Sequence, residues 1–309
     1  MASKRHLFLH CGYPRTGTTS FQSILDLNRE ELAQSGYCVP PTVGFRHRHL
    51  QAGVQLSLTA NVQNLIKLPE GCDPETHLEN WLTGVVADAP EFDRFIMSEE
   101  TLAKADFGKI EGFEAQLRKH FEHITILICF RPHGSYLRSD YSNRVRASYF
   151  SKPFKAYAVG QSAQPFMSYS YVLSKFMDVF GAESVKAVEY NSKGDNSSHS
   201  QLFHAMGLDL AQLKKPEDAL NKSLGPQSIE LKRRLNRRLE VSLSEMGLQA
   251  QGSFHDALMS NIEDAMLRTR KIGVQADEQP FGVPPRLEDQ WDADWDRLTG
   301  PEFSTQFKL

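Results

Sequence analysis

Short apolar runs alternate with longer amphipathic segments along most of the chain. A short apolar run bounded by turn residues is typical of a buried strand, whereas apolar residues that recur every three or four positions indicate a helix. The runs that meet the strand criterion predict strands at Leu7–Cys11, Tyr37–Val39, Phe92–Met97, Ile124–Phe130 and Val185–Tyr190.

Amphipathic segments predict helices between these strands and after the last one. The predicted helices span Thr18–Gln34, Leu50–Ile66, Glu75–Ala87, Ile110–Phe121, Ser135–Ser148, Ser168–Phe180, Ser198–Met206, Gln227–Met246 and Phe254–Lys271. Strands that alternate with helices predict an α/β fold in three layers, a parallel sheet flanked by helices on both faces. The tail from Gln275 is rich in Pro, Asp and Trp and has no clear period, so we expect no regular element there.

A chain of 309 residues is long enough for one large α/β domain or two small ones. Neither an internal repeat nor a low-complexity linker divides it. We therefore predict a single domain over 1–309, with an α/β core at 1–195 and a helical C-terminal part and tail at 196–309.

The composition is that of an ordinary globular protein, with 40% hydrophobic and 24% charged residues and a formal net charge of −3. This charge argues against a dedicated nucleic-acid binder, so an anionic ligand would require a local cluster of basic groups. The cysteines are Cys11, Cys38, Cys72 and Cys129. Their spacing contains no C-x-x-C pair and fits neither a zinc site nor a disulfide framework.

Membrane attachment is not indicated by the apolar runs. Leu7–Leu9 is too short for a signal peptide, and the longest later run, Ile124–Phe130, is far below the length that spans a bilayer. We therefore expect a cytoplasmic protein.

A glycine-containing loop, Gly12–Thr19, separates the first predicted strand from the first predicted helix. In that position, successive backbone N–H groups converge on an anion and the helix N-terminus adds the positive end of its dipole. The two glycines are spaced as in the nucleotide-binding P-loop G-x-x-x-x-G-K-[ST], but Thr18 replaces the lysine and the cation is Arg15. The loop is thus predicted to bind an anion other than a nucleoside triphosphate. The alternative is a ligand-free turn in which Thr18 or Thr19 caps the helix.

A second candidate anchor is Arg131, which directly follows the clearest predicted strand, Ile124–Phe130. Ligands of open α/β sheets bind at the carboxyl ends of the strands, so this arginine is expected to point toward the ligand crevice. Ser139 follows about two turns into the next predicted helix, where its hydroxyl could join a guanidinium in binding a phosphate. The alternatives are a structural ion pair for Arg131 and an exposed helix serine for Ser139.

Together these two motifs resemble those of the sulfotransferases that use 3′-phosphoadenosine 5′-phosphosulfate (PAPS). The first motif of that family is a basic residue, one variable residue and Gly-Thr-Thr at a strand-to-helix turn, which matches Arg15 to Thr19. Many members have lysine at the basic position, and tyrosylprotein sulfotransferases have arginine. Their second motif is similar to the stretch Arg131-Pro132 … Ser139-Asp140-Tyr141, whose arginine and serine hold the 3′-phosphate of PAPS.

The resemblance implies a soluble, bacterial-type member with a P-loop-type fold whose nucleotide-binding core lies in 1–195. Such an enzyme transfers a sulfuryl group from PAPS to an acceptor hydroxyl or amine and releases adenosine 3′,5′-bisphosphate. The residues implied to bind PAPS are Arg15, Thr16, Gly17, Thr18, Thr19, Ser20, Arg131 and Ser139. Because the leaving group is a nucleoside phosphate, Arg15 and the loop amides can suffice, and no metal is expected. The acceptor is open among carbohydrate, lipid and small metabolite, and no membrane span is expected.

Sulfuryl transfer also needs a base for the acceptor's proton. Glu99 and Glu100 follow the Phe92–Met97 strand and are expected near the loop, with Glu99 preferred and Glu100 second. His49, in a basic patch, is the third candidate. The alternatives are first-turn carboxylates of a helix capped by Ser98 for the glutamates, and a solvated loop for His49.

Two other functions remain open. A P-loop kinase or NTPase could use Phe92–Glu99 as its magnesium-binding strand, although the missing lysine after Gly17 argues against it. A non-catalytic nucleotide-binding protein of the same fold is the other possibility. The predicted helix Gln227–Met246 carries the basic residues Lys232, Arg233, Arg234, Arg237 and Arg238. We interpret them as a solvated face, with contact to an anionic polysaccharide as the alternative.

Overall fold

The computed structural model describes residues 5–40, 74–99, 102–104, 107–147, 150–192, 194, 196–216, 225–245 and 281–307. Within these residues the strands are β1 (His6–His10), β2 (Tyr37–Cys38), β3 (Arg94–Ser98), β4 (His123–Phe130) and β5 (Val185–Glu189). They form one parallel sheet in the order β2-β3-β1-β4-β5. The predicted α/β class with a parallel sheet is confirmed, and each predicted strand is present with ends shifted by one or two residues.

The helices of the described residues separate or follow the strands. They are α1 (Thr18–Leu27), α2 (Arg29–Gln34), α3 (Pro74–Ala87), α4 (Ile110–Arg118), α5 (His133–Ala147), α6 (Phe154–Ser162), α7 (Tyr169–Phe180), α8 (Ser198–Ala205), α9 (Pro226–Glu245) and α10 (Pro285–Thr299). Short 3₁₀ turns lie at Leu102–Lys104, Pro165–Met167, Ala182–Ser184, Leu210–Gln212 and Pro301–Phe303. No helix among these described segments is both long and apolar enough to cross a bilayer.

Two helix predictions needed correction. The predicted helix Thr18–Gln34 is two helices, because the chain leaves the helical conformation at Asn28 (φ −119°). The buried Asn28 side chain donates to the carbonyl oxygens of Ile24, at 2.7 Å, and Lys214, at 2.9 Å, and so anchors this break. The predicted helices Leu50–Ile66 and Phe254–Lys271 lie outside the described residues.

The expectation of no regular element after Gln275 is wrong, because helix α10 occupies Pro285–Thr299. Leu287, Trp291, Trp295 and Leu298 recur at helical spacing along it. The many acidic residues between them weaken the apolar period, which is why the pattern alone did not indicate a helix.

Parallel sheets are covered on both faces, and the strand sequences reflect this. In β1, Leu7, Phe8 and Leu9 are all buried, as is the β4 stretch Ile126–Phe130. Phe8 belongs to the same apolar cluster as Phe21 of α1 and Phe203 of α8. The opposite face of β4 is covered by α7.

The chain divides into two compact units. The first unit comprises 1–132, 168–220 and 293–309, and it contains the whole sheet. The second unit comprises 133–167 and 221–292, and its core consists mainly of aromatic and aliphatic side chains of α5, α6 and α9. The grouping of 1–195 and 196–309 into one domain stays a prediction.

Candidate anion-binding site

The loop between β1 and α1 has a defined internal structure. The Thr16 hydroxyl donates to the Tyr13 carbonyl oxygen at 2.6 Å, and the Thr16 backbone N–H donates to the same oxygen at 3.3 Å. Arg15 has a φ of 71° and Gly17 a φ of 82°, so both occupy the left-handed region. Left-handed backbone is uncommon for a residue with a side chain, which makes Arg15 the unusual position of the loop.

The N-terminus of α1 is not capped by a side chain. Gly17 is the N-cap residue and makes no side-chain cap hydrogen bond. The alternative of a turn capped by Thr18 or Thr19 is therefore wrong. The first N–H groups of a helix have no acceptor within the helix, and the dipole places positive charge at the same end. An anion could use these donors, as it does at other strand–loop–helix junctions.

Both loop glycines are sterically required. A Cβ atom on Gly12 would lie 2.3 Å from Cγ2 of Thr18, whose buried side chain packs beneath the loop. A Cβ atom on Gly17 would lie 2.8 Å from Nε2 of His199. The Thr18 side chain thus occupies the interior, whereas Thr19 and Ser20 are half-buried in the first turn.

His199, at the start of α8, contacts the loop from the other side. Its Nε2 atom lies 3.0 Å from the Gly17 carbonyl oxygen, to which it donates. Burial lowers the pKa of His199 below its usual value of 6.5, and the bond to Gly17 opposes this shift. The imidazole is therefore neutral near pH 7, with its proton on Nε2.

Arg131 reaches the same loop from the end of β4. Its Nη1 atom donates to the Arg15 carbonyl oxygen at 2.9 Å, and its guanidinium carbon lies 4.8 Å from the centre of the Tyr190 ring. The Tyr169 hydroxyl donates to the Arg131 carbonyl oxygen at 3.0 Å. The structure therefore brings together the two arginines that the sequence motifs identify, although 116 positions separate them.

Cys129 lies beneath the loop and is fully buried. Burial raises the pKa of its thiol to about 12, although hydrogen bonds with Ser198 and Thr16 and the charge of Arg131 oppose the shift. A thiol with this pKa is not a nucleophile at neutral pH. Its role, like that of the Thr16 hydroxyl, is to support the loop from below.

Glu99 follows β3 at the same edge of the sheet. Its backbone N–H donates to the His10 carbonyl oxygen at 2.9 Å, and its side chain is fully buried. The pKa of Cys11 is raised well above its usual range, chiefly by burial and additionally by the negative charge of Glu99. Glu99 is thus close to the residue that precedes the loop. Glu100 and His49 lie outside the described residues.

A buried polar network lies beside Glu99. The Ser98 hydroxyl is 2.9 Å from Nδ1 of His10 and accepts a hydrogen bond from the Gln22 amide at 3.0 Å. Ser98 is the last residue of β3, and its hydroxyl is hydrogen-bonded with side chains of β1 and α1. The network fixes α1 to the sheet, and with it the helix N-terminus.

Ser139 belongs to the second unit, where it is half-buried on α5. Its neighbour Asp140 is buried, accepts a hydrogen bond from Nε of Arg144 at 2.8 Å and accepts another from the Tyr157 hydroxyl. Asp140 therefore stabilises the helices of that unit. The expectation that Ser139 and Arg131 bind one phosphate stays a prediction.

The interpretation of the basic residues of α9 as a solvated face is wrong for part of the helix. Lys232 is completely buried, with Nζ 3.5 Å from Oδ1 of Asn236. Arg233 pairs with Glu230 at 2.6 Å and donates to the Ser151 carbonyl oxygen at 3.0 Å. Helix α9 contacts α5, and Lys232 and Arg233 are used in contacts within this unit.

Sequence reasoning missed His199, Tyr190 and the His10–Ser98–Gln22 network. A histidine and a serine at the ends of otherwise apolar strands could have indicated a polar contact between neighbouring strands. His199 offers no such signal, because it lies in a run of polar residues. Among the residues that the structure describes, no group of His, Cys, Asp or Glu is arranged to hold a metal ion.

Comparisons with known proteins complete the description. The chain matches no protein-family model and no curated protein sequence. Its structure is similar to the solved structure of a sulfotransferase from Alicyclobacillus acidocaldarius, with 15% sequence identity and a TM-score of 0.42. The similarity covers 77% of this chain and 95% of that one. Likeness at this level says nothing about activity, so a function has to be inferred from this chain's own residues.

Proposed function

We propose that the chain is a PAPS-dependent sulfotransferase. The observation that carries this proposal is the contact between Nη1 of Arg131 and the carbonyl oxygen of Arg15, 2.9 Å long, at a helix N-terminus without a side-chain cap. It joins the two motifs that resemble those of the sulfotransferases at one edge of the sheet. The two guanidinium groups and the helix amides would together suit an anion with more than one charged group.

The residues of the site fit the donor nucleotide. The amides of Thr18, Thr19 and Ser20 begin α1 and would hold the 5′-phosphate side of PAPS, with Arg15 beside them. Arg131 would hold the 3′-phosphate, because a guanidinium offers two parallel donors to a phosphate. Thr16 would stabilise the shape of the loop, because its hydroxyl donates to the Tyr13 carbonyl oxygen.

In the proposed reaction, an acceptor oxygen or nitrogen attacks the sulfur of PAPS in line with the leaving group. A bond from the acceptor to sulfur forms, the bond between sulfur and the 5′-phosphate oxygen breaks, and adenosine 3′,5′-bisphosphate leaves. Glu99 would take the acceptor's proton, and Arg15 would stabilise the charge that grows on the bridging oxygen. None of these steps requires a metal ion.

A transfer assay tests the proposal. Radiolabelled PAPS is incubated with the wild-type chain and with panels of carbohydrates, lipids and small hydroxyl or amine metabolites, in the presence of EDTA. Transfer of label to one panel, lost in the Arg15→Ala protein, is the expected result. Arg237→Ala is the matched control, because that exposed arginine of α9 pairs with Glu240. A strict requirement for magnesium and ATP would support the kinase alternative instead.

A further inference from the structure

We infer that Arg131 is a positioning residue for the loop between β1 and α1 (Gly12–Thr19). This role is separate from its proposed contact with the 3′-phosphate. The inference concerns the site of the proposed function and rests on it for its ligand. Arg131 holds one peptide group of the loop by a hydrogen bond, and the loop needs this hydrogen bond because Arg15 occupies left-handed backbone.

The peptide group between Arg15 and Thr16 is held at both ends. Its carbonyl oxygen accepts from Nη1 of Arg131 at 2.9 Å, and its N–H donates to the Tyr13 carbonyl oxygen at 3.3 Å. Because a peptide group is planar and its C=O and N–H point in opposite directions, these two bonds together set its orientation. The orientation of this peptide group in turn sets the direction of the next amides, which lead through Gly17 into α1.

The backbone at Arg15 would not adopt this orientation readily by itself. Its φ of 71° places it in the left-handed region, and it is the only described residue other than glycine with a positive φ. The Cβ atom of an L-residue approaches the following carbonyl oxygen in that conformation, which makes it unfavourable. A glycine at the same position has no such cost. The hydrogen bond from Arg131 therefore acts on a conformation that the side chain of Arg15 opposes.

Arg131 is itself fixed through its backbone. The Tyr169 hydroxyl donates to its carbonyl oxygen at 3.0 Å, and the Tyr169 backbone N–H donates to the Asp294 carboxylate at 2.7 Å. The Tyr169 ring also packs against Tyr13, with centroids 4.9 Å apart. A residue held in this way at its backbone can direct its guanidinium to one carbonyl oxygen.

The test is a double-mutant cycle on two matched backgrounds. Arg15→Ala and Arg15→Gly both remove the loop's cation, but only the alanine keeps the cost of the left-handed conformation. Arg131→Ala is added to each, and binding of adenosine 3′,5′-bisphosphate is measured by calorimetry. Any direct contact with the 3′-phosphate is lost equally in both backgrounds, so a difference between the two losses reports on loop positioning.

We expect Arg131→Ala to weaken binding about tenfold more in the Arg15→Ala protein than in the Arg15→Gly protein, the order expected from one left-handed residue. Equal losses within about twofold in the two backgrounds would overturn the inference. If Arg131→Ala does not fold, Arg131→Met replaces it, because methionine keeps a long unbranched side chain and removes the donors.

Amide hydrogen exchange of the ligand-free protein separates this inference from the proposed function. Arg131→Ala should speed exchange of the Thr16 amide in the Arg15→Ala protein and leave it unchanged in the Arg15→Gly protein. If the wild-type chain binds no adenosine 3′,5′-bisphosphate, the proposed function fails, while the exchange result still decides the positioning role. Unchanged exchange in both backgrounds would contradict that role.

Discussion

The loop between β1 and α1, in the first unit, and helix α9, in the second unit, both contain basic residues whose contacts differ. On α9, Arg233 and Arg234 pair with Glu230, and Arg237 pairs with Glu240. At the loop, Arg131 donates to the carbonyl oxygen of Arg15. The ion pairs on α9 join side chains of the same helix, whereas the Arg131 contact joins the end of β4 to the backbone of the loop.

This difference shows that basic residues close together in the sequence can be used for contacts within the protein. The chain places several basic residues together on α9, and there the structure uses them for packing and helix stability. The loop has one arginine in its sequence and gains the second from β4. The comparison predicts that substitutions at the loop change chemistry and ligand affinity, whereas substitutions on α9 change stability alone.

The largest expected effect belongs to Glu99. Glu99→Gln keeps the size of the side chain and removes the carboxylate that would take the proton, so kcat should fall by roughly 10²–10⁴-fold. Affinity for adenosine 3′,5′-bisphosphate should stay within about twofold, because the nucleotide does not use the base. The measurement is steady-state transfer together with calorimetry. A fully active Glu99→Gln protein would remove Glu99 from the mechanism and leave Glu100 and His49 as candidates.

Arg15→Ala should come next, with a fall in turnover of about 10²-fold or more. Positive charge beside the bridging oxygen matters most as the bond between sulfur and oxygen breaks, so kcat should change more than nucleotide affinity. Single-turnover kinetics separate the two. A loss confined to KM would show that Arg15 only binds the nucleotide.

Arg131→Ala should weaken binding of adenosine 3′,5′-bisphosphate by about 2–4 kcal/mol, since a charged hydrogen-bonded contact is lost. Calorimetry measures this directly. Arg237→Ala on α9 is the matched control and should leave the affinity unchanged, because its side chain is exposed and paired with Glu240. Equal losses in the two proteins would remove the distinction between the regions.

On α9 the predicted effect is on stability. Glu230→Gln should lower the free energy of unfolding by about 1 kcal/mol, because the half-buried carboxylate accepts hydrogen bonds from Arg233 and Arg234. Transfer activity of the folded protein should not change. Urea denaturation and the transfer assay check the two statements, and a loss of activity without a loss of stability would assign α9 a functional role.

The smallest effect concerns pH. Burial lowers the pKa of His199 from 6.5, so the unfolded imidazole takes up a proton before the folded one does. The folded state should therefore lose stability as the pH falls from about 7 through the lower pKa. His199→Gln keeps a donor for Gly17 and should flatten this part of the stability profile. His6, whose pKa is also lowered, contributes equally to both proteins.

The strands, and the position of the glycine-containing loop between β1 and α1, could be predicted because both follow from local patterns. The apolar runs that precede Gly12 and Arg131 each place a motif at the end of a strand. The contacts of His199 with Gly17 could not be predicted, because 182 positions separate them and no local period encodes their meeting. The left-handed backbone of Arg15 was also hidden, since glycine rather than arginine signals that conformation. Helix α10 was not predicted because the acidic residues between its apolar residues weaken the apolar period.

We propose that the loop and Arg131 bind a nucleotide with phosphates at both the 3′ and 5′ positions. Calorimetric titration of the wild-type chain with adenosine 3′,5′-bisphosphate and with adenosine 5′-phosphate, both in EDTA, tests it most directly. The account predicts that the bisphosphate binds without a metal ion and that the monophosphate binds at least about tenfold more weakly. Equal affinities for the two nucleotides, or binding that appears only with magnesium, would contradict it.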